Sequence, residues 1–173
     1  MTEFDFDALI RNVPDFPIPG IQFKDITTLL RDGPALRAVI DQLAAPYHDQ
    51  AIDVVAGVES RGFIFSAPVA YQLGAGLVPI RKPGKLPAAT VEVAYTLEYG
   101  TNVLQMHADA FQPGSRVLIV DDLLATGGTV GAAVQLVQKL GGQIAGLAFV
   151  IELSFLDGRA QLGDYPIHSL LRY

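Results

Sequence analysis

The sequence predicts an α/β protein with an open, mostly parallel β-sheet and helices on both faces of that sheet. Apolar runs at Val54–Val58, Val117–Val120 and Ile144–Leu153 indicate buried strands. These runs lack the alternation of a half-exposed strand, and helical patterns of roughly 10–15 residues separate strands in this way in parallel sheets. In such sheets, ligands bind beyond the carboxyl ends of the strands.

The composition favours one globular domain, which we expect to span residues 1–173. Half of the residues are hydrophobic and 17% are charged, and this balance excludes a disordered chain or a long coiled coil. The 12 basic and 18 acidic residues give a net charge of −6. That charge has the wrong sign for a general nucleic-acid or membrane-surface binder, so an anionic ligand needs a local group of residues to hold it.

The chain contains no cysteine, which excludes disulfides, thiolate metal sites and cysteine nucleophiles. The N-terminal residues lack the basic region of a signal peptide, so we expect a cytoplasmic protein. A long uncharged run lies between Arg61 and Arg81, but Pro68, Gly74 and Pro79 interrupt it. We interpret this run as a helix, a turn and a strand rather than a membrane span.

The first half of the chain predicts helices and strands in alternation. A short amphipathic segment and a proline-rich stretch, VPDFPIPG, precede a helix that begins at Gly33 and Pro34. The helix has an apolar face of residues at helical spacing. After the strand Val54–Val58, a helix ending at Gly74 and a strand through Leu77–Ile80 complete a βαβ unit. The residues of the apolar helix face are Leu36, Val39, Ile40, Leu43 and Tyr47.

The second half predicts a β-ribbon and a second pair of strands. Residues 88–106 are rich in β-branched and aromatic side chains, with Gly100 and Thr101 where a hairpin would turn. We expect a projecting ribbon or flexible flap there. Beyond the strand Val117–Val120 we expect a loop, DDLLATGGT, then a helix at Val130–Leu140 and the strand Ile144–Leu153.

The segment VLIVDDLLATGGT combines features that suit a ribose 5-phosphate. Asp121 and Asp122 follow a buried strand, where unpaired carboxylates are costly, so they should face solvent, a cation or hydroxyl groups such as a sugar diol. Thr126, Gly127, Gly128 and Thr129 follow, and their small side chains would let backbone N–H groups at a helix start converge on a phosphate.

A plainer interpretation of the same segment is a strand, a helix cap at Thr126 and two solvated carboxylates. The segment is not a Walker A loop, because no Lys follows its last Gly, and the chain has no GxGxxG sequence. An α/β-hydrolase is also disfavoured: Gly57 stands three residues before Ser60, whereas a nucleophile elbow needs two.

These residues resemble the type I phosphoribosyltransferases, whose signature is an apolar strand, an acidic pair and a threonine–glycine loop. Four more stretches, FPIPGIQFKDITTLL, GVESRGFIFSAPVA, IRKPGKLP and YTLEYG, resemble the members of that family that act on adenine. The resemblance implies magnesium-dependent transfer of a phosphoribosyl group from 5-phosphoribosyl 1-pyrophosphate (PRPP) to N9 of adenine, giving AMP and pyrophosphate in purine salvage. It also implies a homodimer, with Mg²⁺ held mainly by the substrate.

The resemblance assigns a set of PRPP-binding residues. Asp121 and Asp122 would hold the ribose hydroxyls, and Ala125–Thr129 would hold the 5-phosphate. Ser60 and Arg61 match the pyrophosphate loop, where a non-proline cis peptide between these two positions is expected. From the residues alone, Arg61 could equally form a structural ion pair. The basic cluster near Pro83 and Gly84 would bind pyrophosphate, unless it is a solvated turn. Its members are Arg81, Lys82 and Lys85.

The resemblance also assigns a catalytic flap and an adenine-binding hood. In the flap, Glu98 would handle the proton at purine N7 and Tyr99 would line the closed pocket, with Arg61 as the third catalytic residue. In the hood, Phe23 would stack on the base, Leu123 would cover its other face, and the backbone of Gln22 would recognise the exocyclic amine. Lys24 stands where some members have Arg, and it cannot make the same bidentate contact. Without the resemblance, a Glu at position 98 is usually a solvated surface residue, and Phe23 could equally be an ordinary core aromatic.

Two other functions use the same sugar-phosphate segment. One is a phosphoribosyltransferase for a 6-oxopurine, which this segment does not distinguish from the adenine enzyme. The other is a non-catalytic regulator that senses PRPP and binds DNA. The net charge of −6 disfavours the regulator, because DNA binding needs a basic surface. We therefore expect no nucleic-acid or membrane partner.

Overall fold

The computed structural model describes residues 5–97 and 100–173. It divides into an N-terminal unit that ends at Gln42 and a C-terminal unit, Leu43–Tyr173. The single domain expected from the sequence stays a prediction. No helix in the described residues is both long enough and apolar enough to cross a membrane.

The N-terminal unit contains a short antiparallel pair of strands, β1 (Arg11–Pro14) and β2 (Gln22–Asp25), then α1 (Thr27–Leu30) and all but the last two residues of α2 (Gly33–Ala44). The sequence predicted α2 but not the strand pair. The pair is supported at one end, where Arg11 donates to the Asp25 carboxylate across the two strands. The backbone N–H of Thr27 and the Arg11 guanidinium lower the pKa of Asp25 to about 2.

The C-terminal unit follows the predicted βαβ order and adds one strand. Its elements are β3 (Val54–Val58), α3 (Gly62–Leu73), β4 (Gly76–Ile80), β5 (Thr90–Leu97), β6 (Gly100–His107), β7 (Arg116–Leu124), α4 (Gly128–Lys139), β8 (Gln143–Glu152) and β9 (Ile167–Arg172), with 3₁₀ turns at Ala45–Tyr47, Ser154–Leu156 and Gly158–Gln161.

Five strands form one parallel sheet in the order β4-β3-β7-β8-β9. The chain runs from β3 outward to β4, then returns through β5 and β6 to place β7 on the other side of β3. The strand order therefore reverses between β3 and β7, and a crevice opens at their carboxyl ends, where α/β sheets bind ligands. β9 was not predicted.

Helices cover both faces of the sheet, which confirms the predicted fold class. On one face, Ala56 of β3 packs in the same buried cluster as Val130 and Leu136 of α4. The next residue, Gly57, points to the other face because side chains alternate along a strand. A Cβ at Gly57 would lie 2.1 Å from Ser66 Oγ of α3, so only glycine lets α3 approach this closely.

The predicted ribbon is present as the antiparallel pair β5 and β6, which we call the ribbon. Leu97 pairs with Gly100 and Thr96 with Thr101, so Gly100 and Thr101 lie in the second strand and the predicted turn position is wrong. The ribbon does not project into solvent along its whole length. Its paired residues Val93 and Leu104 are buried in the hydrophobic cluster that contains α4.

β9 is held by a buried carboxylate at the end of β8. Glu152 is 4% exposed and accepts hydrogen bonds from Ser169 of β9 at 2.6 Å and from Arg159 at 2.5 and 2.8 Å. The bond to Arg159 is the largest cause of a lowered pKa at Glu152. Because Arg159 belongs to the turn Gly158–Gln161, the same carboxylate fixes that turn beside the end of the sheet.

Candidate active site

The crevice at the ends of β3 and β7 contains a cavity of about 410 Å³, which we call the β3–β7 cavity. Three separate parts of the C-terminal unit contribute to it: the end of β3 with the residues that follow it, one residue after β4, and the end of β7 with the segment that leads into the first turn of α4. The lining residues are Val58, Glu59, Ser60, Arg61, Lys82, Asp121, Asp122, Leu123, Ala125, Thr126, Gly127, Gly128, Thr129 and Val130.

The acidic pair lies inside β7 rather than in the loop predicted after Val120, because β7 continues to Leu124. Asp121 and Asp122 are only 8% and 7% exposed. Asp122 Oδ2 lies 2.6 Å from Arg61 Nε, and Asp121 Oδ1 accepts the backbone N–H of Asp122 at 2.8 Å. The two carboxylates are therefore buried, and one of them has a cationic partner across the cavity.

Burial is the main cause that raises the pKa of Asp121 well above its ordinary value near 3.8, and the neighbouring Asp122 carboxylate raises it further. Arg61 acts in the opposite direction more weakly. A carboxyl group in this position favours any ligand that donates hydrogen bonds or carries positive charge, because either would offset its lost hydration.

Asp121→Asn is expected to raise the melting temperature of the ligand-free protein by about 2–4 °C, the shift that ~1 kcal/mol gives a domain of this size. Asn keeps the acceptor for the Asp122 N–H and removes the buried charge. Because the folded pKa lies above the unfolded value of 3.8, the charge of Asp121 lowers stability as pH rises through that interval. The gain should therefore be present at pH 7 and disappear near pH 4.

Calorimetric melts at both pH values test this expectation. Asp109→Asn is the matched control, since it removes an exposed carboxylate outside the β3–β7 cavity. A lower melting temperature for Asp121→Asn at pH 7 would contradict the assignment of an uncompensated buried charge.

The residues after β3 carry the expected cis peptide, but one bond earlier than the resemblance implied. It joins Glu59 to Ser60, not Ser60 to Arg61. Glu59 was not among the predicted site residues. Its Oε2 accepts from Arg81 Nε at 3.1 Å and from the backbone N–H of Lys82 at 2.9 Å. Glu59 thereby fixes the start of the basic cluster beside the cavity.

Of the predicted basic cluster, Lys82 lines the β3–β7 cavity, and Arg81 and Lys85 are not among its lining residues. Arg81 is bound by Glu59, donates to the backbone carbonyl of Lys85 at 3.2 Å and lies 5.9 Å from the ring centre of Phe63. The role of Arg81 and Lys85 toward a ligand stays a prediction.

The end of β7 leads into Ala125–Thr129, which we call the 125–129 segment. Gly127 has φ +89° and precedes α4, whose first turn begins at Gly128. No side chain caps this helix in the described part of the chain, so the helix cap at Thr126 in the plainer interpretation of this segment is absent. The first N–H groups of a helix have no partner within it, and here they belong to residues that line the cavity.

A turn from a distant part of the sequence fixes the shape of the 125–129 segment. Cβ atoms built at Gly127 and Gly158 would lie 2.6 Å from the Gly158 carbonyl oxygen and 2.2 Å from the Ala125 carbonyl oxygen. These two backbone stretches therefore pack directly on each other. Gly158 was missed, because nothing local in the sequence around it indicates this approach.

The predicted flap and hood are only partly described. Glu98 and Tyr99 lie outside the described residues, so their roles stay predictions. Gln22, Phe23 and Lys24 all belong to β2 of the N-terminal unit. The Phe23 ring packs edge-on against Phe16 with centres 5.1 Å apart, and Gln22 Oε1 accepts from Asn12 at 2.7 Å. Leu123 lies in the C-terminal unit and lines the β3–β7 cavity.

The phosphoribosyl transferase domain family matches residues 27–164. An adenine phosphoribosyltransferase from Chloroflexus aurantiacus is 65% identical over 173 residues and covers 100% of both chains. The solved adenine phosphoribosyltransferase of Thermoanaerobacter pseudethanolicus is 52% identical, with a TM-score of 0.93 over 96% of this chain and 97% of that one. The Saccharomyces cerevisiae enzyme, solved with adenine and an imino-altritol bisphosphate, is 38% identical, with a TM-score of 0.90 over 95% and 96%.

Proposed function

The chain belongs to the phosphoribosyl transferase domain family, and from this premise we propose that it makes AMP. It transfers the 5-phosphoribosyl group of PRPP to N9 of adenine and releases pyrophosphate, a purine-salvage reaction. The observation that carries the proposal is the β3–β7 cavity, which joins a buried acidic pair to the 125–129 segment. Carboxylates for a sugar diol and a backbone cradle for a phosphate are what a ribose 5-phosphate needs.

The ribose and its 5-phosphate take the β7 side of the cavity. Asp121 and Asp122 accept hydrogen bonds from the 2- and 3-hydroxyls, and a charged acceptor makes such bonds stronger than neutral pairs. The 5-phosphate takes the 125–129 segment, where the N–H groups of the first turn of α4 and the Thr126 and Thr129 hydroxyls donate to it. The positive end of the helix dipole adds to this attraction.

The pyrophosphate group takes the β3 side of the cavity. Ser60 and Lys82 donate to its oxygens, and Arg61 joins the two sides because it also pairs with Asp122. Arg61 can therefore be both a partner in a structural ion pair and a pyrophosphate ligand, since its ion pair with Asp122 orients the guanidinium. As the bond from C1 of the ribose to pyrophosphate breaks, the Lys82 and Arg61 cations stabilise the negative charge that develops on the leaving pyrophosphate. Arg81 and Lys85 add positive charge at the rim.

The residues of the cavity fit a Mg²⁺ ion that arrives with PRPP. Asp121 and Asp122 are oxygen donors, the ligands that Mg²⁺ prefers, and both carboxylates are buried where they line the β3–β7 cavity. When bound, the ion supplies charge neutralisation for the departing pyrophosphate. The protein's part is to orient the ribose hydroxyls and the water shell around them.

For adenine we propose the roles that the family resemblance implies, stated for each unit by itself. In the N-terminal unit, Phe23 stacks on the base and the backbone of Gln22 recognises the exocyclic amine. In the C-terminal unit, Leu123 contacts the base from the β3–β7 cavity. Lys24 contributes a cation near the base. The flap closes over the reacting centre, where Tyr99 lines the pocket and Glu98 exchanges a proton with purine N7. Water exclusion matters here because the transition state resembles an oxocarbenium ion, which water would otherwise capture.

The proposed homodimer is supported by large apolar side chains that are exposed on α3 and on the edge strand β4. Tyr71 and Ile64 lie two turns apart on α3 and are 89% and 41% exposed, and Leu77 on the neighbouring edge strand β4 is 45% exposed. Large exposed apolar side chains in one region are typical of interfaces. A chain mass of one protomer in sedimentation equilibrium would refute the dimer.

We propose the cytoplasm as the location of the protein, which suits a chain without cysteine.

A purine competition assay tests the proposed function. Purified protein is incubated with Mg²⁺, PRPP and one base at a time, adenine, hypoxanthine, guanine or xanthine, and nucleotide and pyrophosphate are quantified. AMP from adenine alone is the expected result. Product from a 6-oxopurine would keep the mechanism and reject the hood assignment, and tight PRPP binding without product would indicate a regulator.

Glu98→Ala is expected to lower kcat by about 100-fold, the lower range for loss of a general acid or base. PRPP affinity should stay nearly unchanged, because Glu98 is assigned to the base and not to the sugar phosphate. Steady-state kinetics and calorimetric titration with PRPP measure the two quantities. Glu92→Ala is a matched control, since Glu92 is an exposed carboxylate on β5. Equal losses of turnover and PRPP affinity would count against a proton-transfer role.

A further inference from the structure

Tyr95 joins the ribbon to the 125–129 segment without lining the β3–β7 cavity itself. Its hydroxyl lies 3.2 Å from Thr129 Oγ1, and Thr129 is one of the lining residues. The Tyr95 ring lies against Gly128, where a Cβ would be 3.4 Å from Tyr95 Cδ2. The ring also packs against the buried cluster around α4. Tyr95 is therefore held in place, and its hydroxyl reaches a group assigned to the 5-phosphate.

A second contact keeps β5 aligned with α4. Lys139, in the last turn of α4, donates from Nζ to the backbone carbonyl of Glu92 at 2.7 Å. The strand is thus attached to both ends of the helix, to Thr129 at its start and to Lys139 at its end. This two-point attachment fixes β5 against α4 at Glu92 and at Tyr95.

The hydrogen bond between Tyr95 and Thr129 has no fixed direction in the protein alone, because either hydroxyl can donate. A phosphate oxygen only accepts, so a bound 5-phosphate requires the Thr129 O–H to point at the ligand. The Tyr95 O–H must then donate to Thr129 Oγ1. Two hydroxyls bonded in series polarise each other in the same direction, which strengthens the bond that Thr129 makes to the phosphate.

We propose that Tyr95 is a positioning residue for phosphate recognition: its hydroxyl orients that of Thr129 and so raises affinity for the 5-phosphate. The inference rests on the proposed function, because it assumes that the 125–129 segment holds a sugar phosphate. Under this proposal, Tyr95 of the ribbon contributes to binding of the 5-phosphate through Thr129, although Tyr95 does not itself line the β3–β7 cavity. The strand that leads to Glu98 is thereby tied to the presence of the sugar phosphate.

The test compares ligands by calorimetric titration of the full chain. Tyr95→Phe keeps the ring and removes the hydroxyl, and it is expected to weaken ribose 5-phosphate binding about fivefold, the value of one net hydrogen bond. Pyrophosphate affinity should not change. In the kinetic assay, the KM for PRPP should rise about fivefold with kcat nearly constant. Tyr165→Phe is the matched control, since it removes a hydroxyl bonded to Gln138 of α4 and should change nothing.

A double-mutant cycle separates positioning from a general structural effect. If Tyr95 acts through Thr129, Tyr95→Phe has no further effect on ribose 5-phosphate affinity in a Thr129→Val background. Full additivity, an equal loss of pyrophosphate affinity, or unchanged ribose 5-phosphate affinity in Tyr95→Phe would overturn the inference while the proposed function stands. If the wild-type protein bound no ribose 5-phosphate, the proposed function itself would fail, and the inference with it.

Discussion

Asp121→Asn combined with Asp122→Asn is expected to weaken PRPP binding about 1,000-fold, which abolishes turnover at ordinary substrate concentrations. Two hydrogen bonds to charged acceptors contribute about 1.5–3 kcal/mol each, and their combined loss gives a factor of this size. Asn retains the shape and one acceptor oxygen of each side chain but removes both charges. The Arg61 guanidinium would also lose the carboxylate that lies 2.6 Å from its Nε, so the pyrophosphate side of the cavity should be disturbed as well.

Calorimetric titration with PRPP measures this loss, and the matched control is Asp109→Asn with Asp164→Asn. Those two carboxylates are exposed and lie outside the β3–β7 cavity, so the control changes the net charge equally and should bind PRPP normally. Normal affinity in the Asp121/Asp122 double variant would mean that the acidic pair does not hold the ribose. Equal losses in both double variants would point to long-range charge instead of direct contact.

The contrast with stability makes the assignment more specific. The single change Asp121→Asn is expected to stabilise the ligand-free fold, since burial and Asp122 raise the pKa of this carboxyl group. The same change should weaken sugar binding. A residue whose removal improves the fold and harms the ligand complex is retained for function, because packing alone would favour its replacement.

The sequence predicted the elements whose signals are local. Runs of buried residues mark β3 and β7 as strands covered on both faces, and glycines mark where α3 and α4 end. β9 was missed because it has no such run: Ile167–Arg172 is mostly half-buried and contains His168 and Ser169. What holds β9 at the edge of the sheet includes its bond to the buried Glu152, a contact that depends on tertiary structure.

The same division holds for the site. The acidic pair and the 125–129 segment are contiguous, so their order alone predicts a sugar-phosphate site, and the structure places them around one cavity. The role of Glu59 could have been predicted from the sequence, because its carboxylate directly follows the buried strand β3 and the chain contains a basic cluster that it could bind. Gly158 had no such signal, and the YTLEYG stretch that begins at Tyr95 did not indicate the contact that Tyr95 makes, because each residue approaches the 125–129 segment from a distant part of the chain.

Gly158→Ala is expected to weaken ribose 5-phosphate binding at least about tenfold, because the new methyl group displaces the cradle. Its Cβ would lie 2.2 Å from the Ala125 carbonyl oxygen and 3.1 Å from the Gly127 nitrogen, and both are backbone atoms that cannot turn aside. The Glu152–Arg159 ion pair, with Nε and Oε1 2.5 Å apart, holds the other side of this turn. The 125–129 segment must therefore move, at a cost of about 1–3 kcal/mol in stability.

Titration with ribose 5-phosphate and with pyrophosphate separates this local effect from unfolding. Pyrophosphate affinity should persist, since Ser60 and Lys82 lie on the β3 side of the cavity, away from Gly158. Gly131→Ala is the matched control: its new Cβ would meet only Leu162 Cδ2 at 4.0 Å, and alanine is favoured over glycine within α4. Wild-type ribose 5-phosphate affinity in Gly158→Ala would show that the 125–129 segment does not hold the phosphate, since a shift of its backbone must alter any N–H groups that bind there.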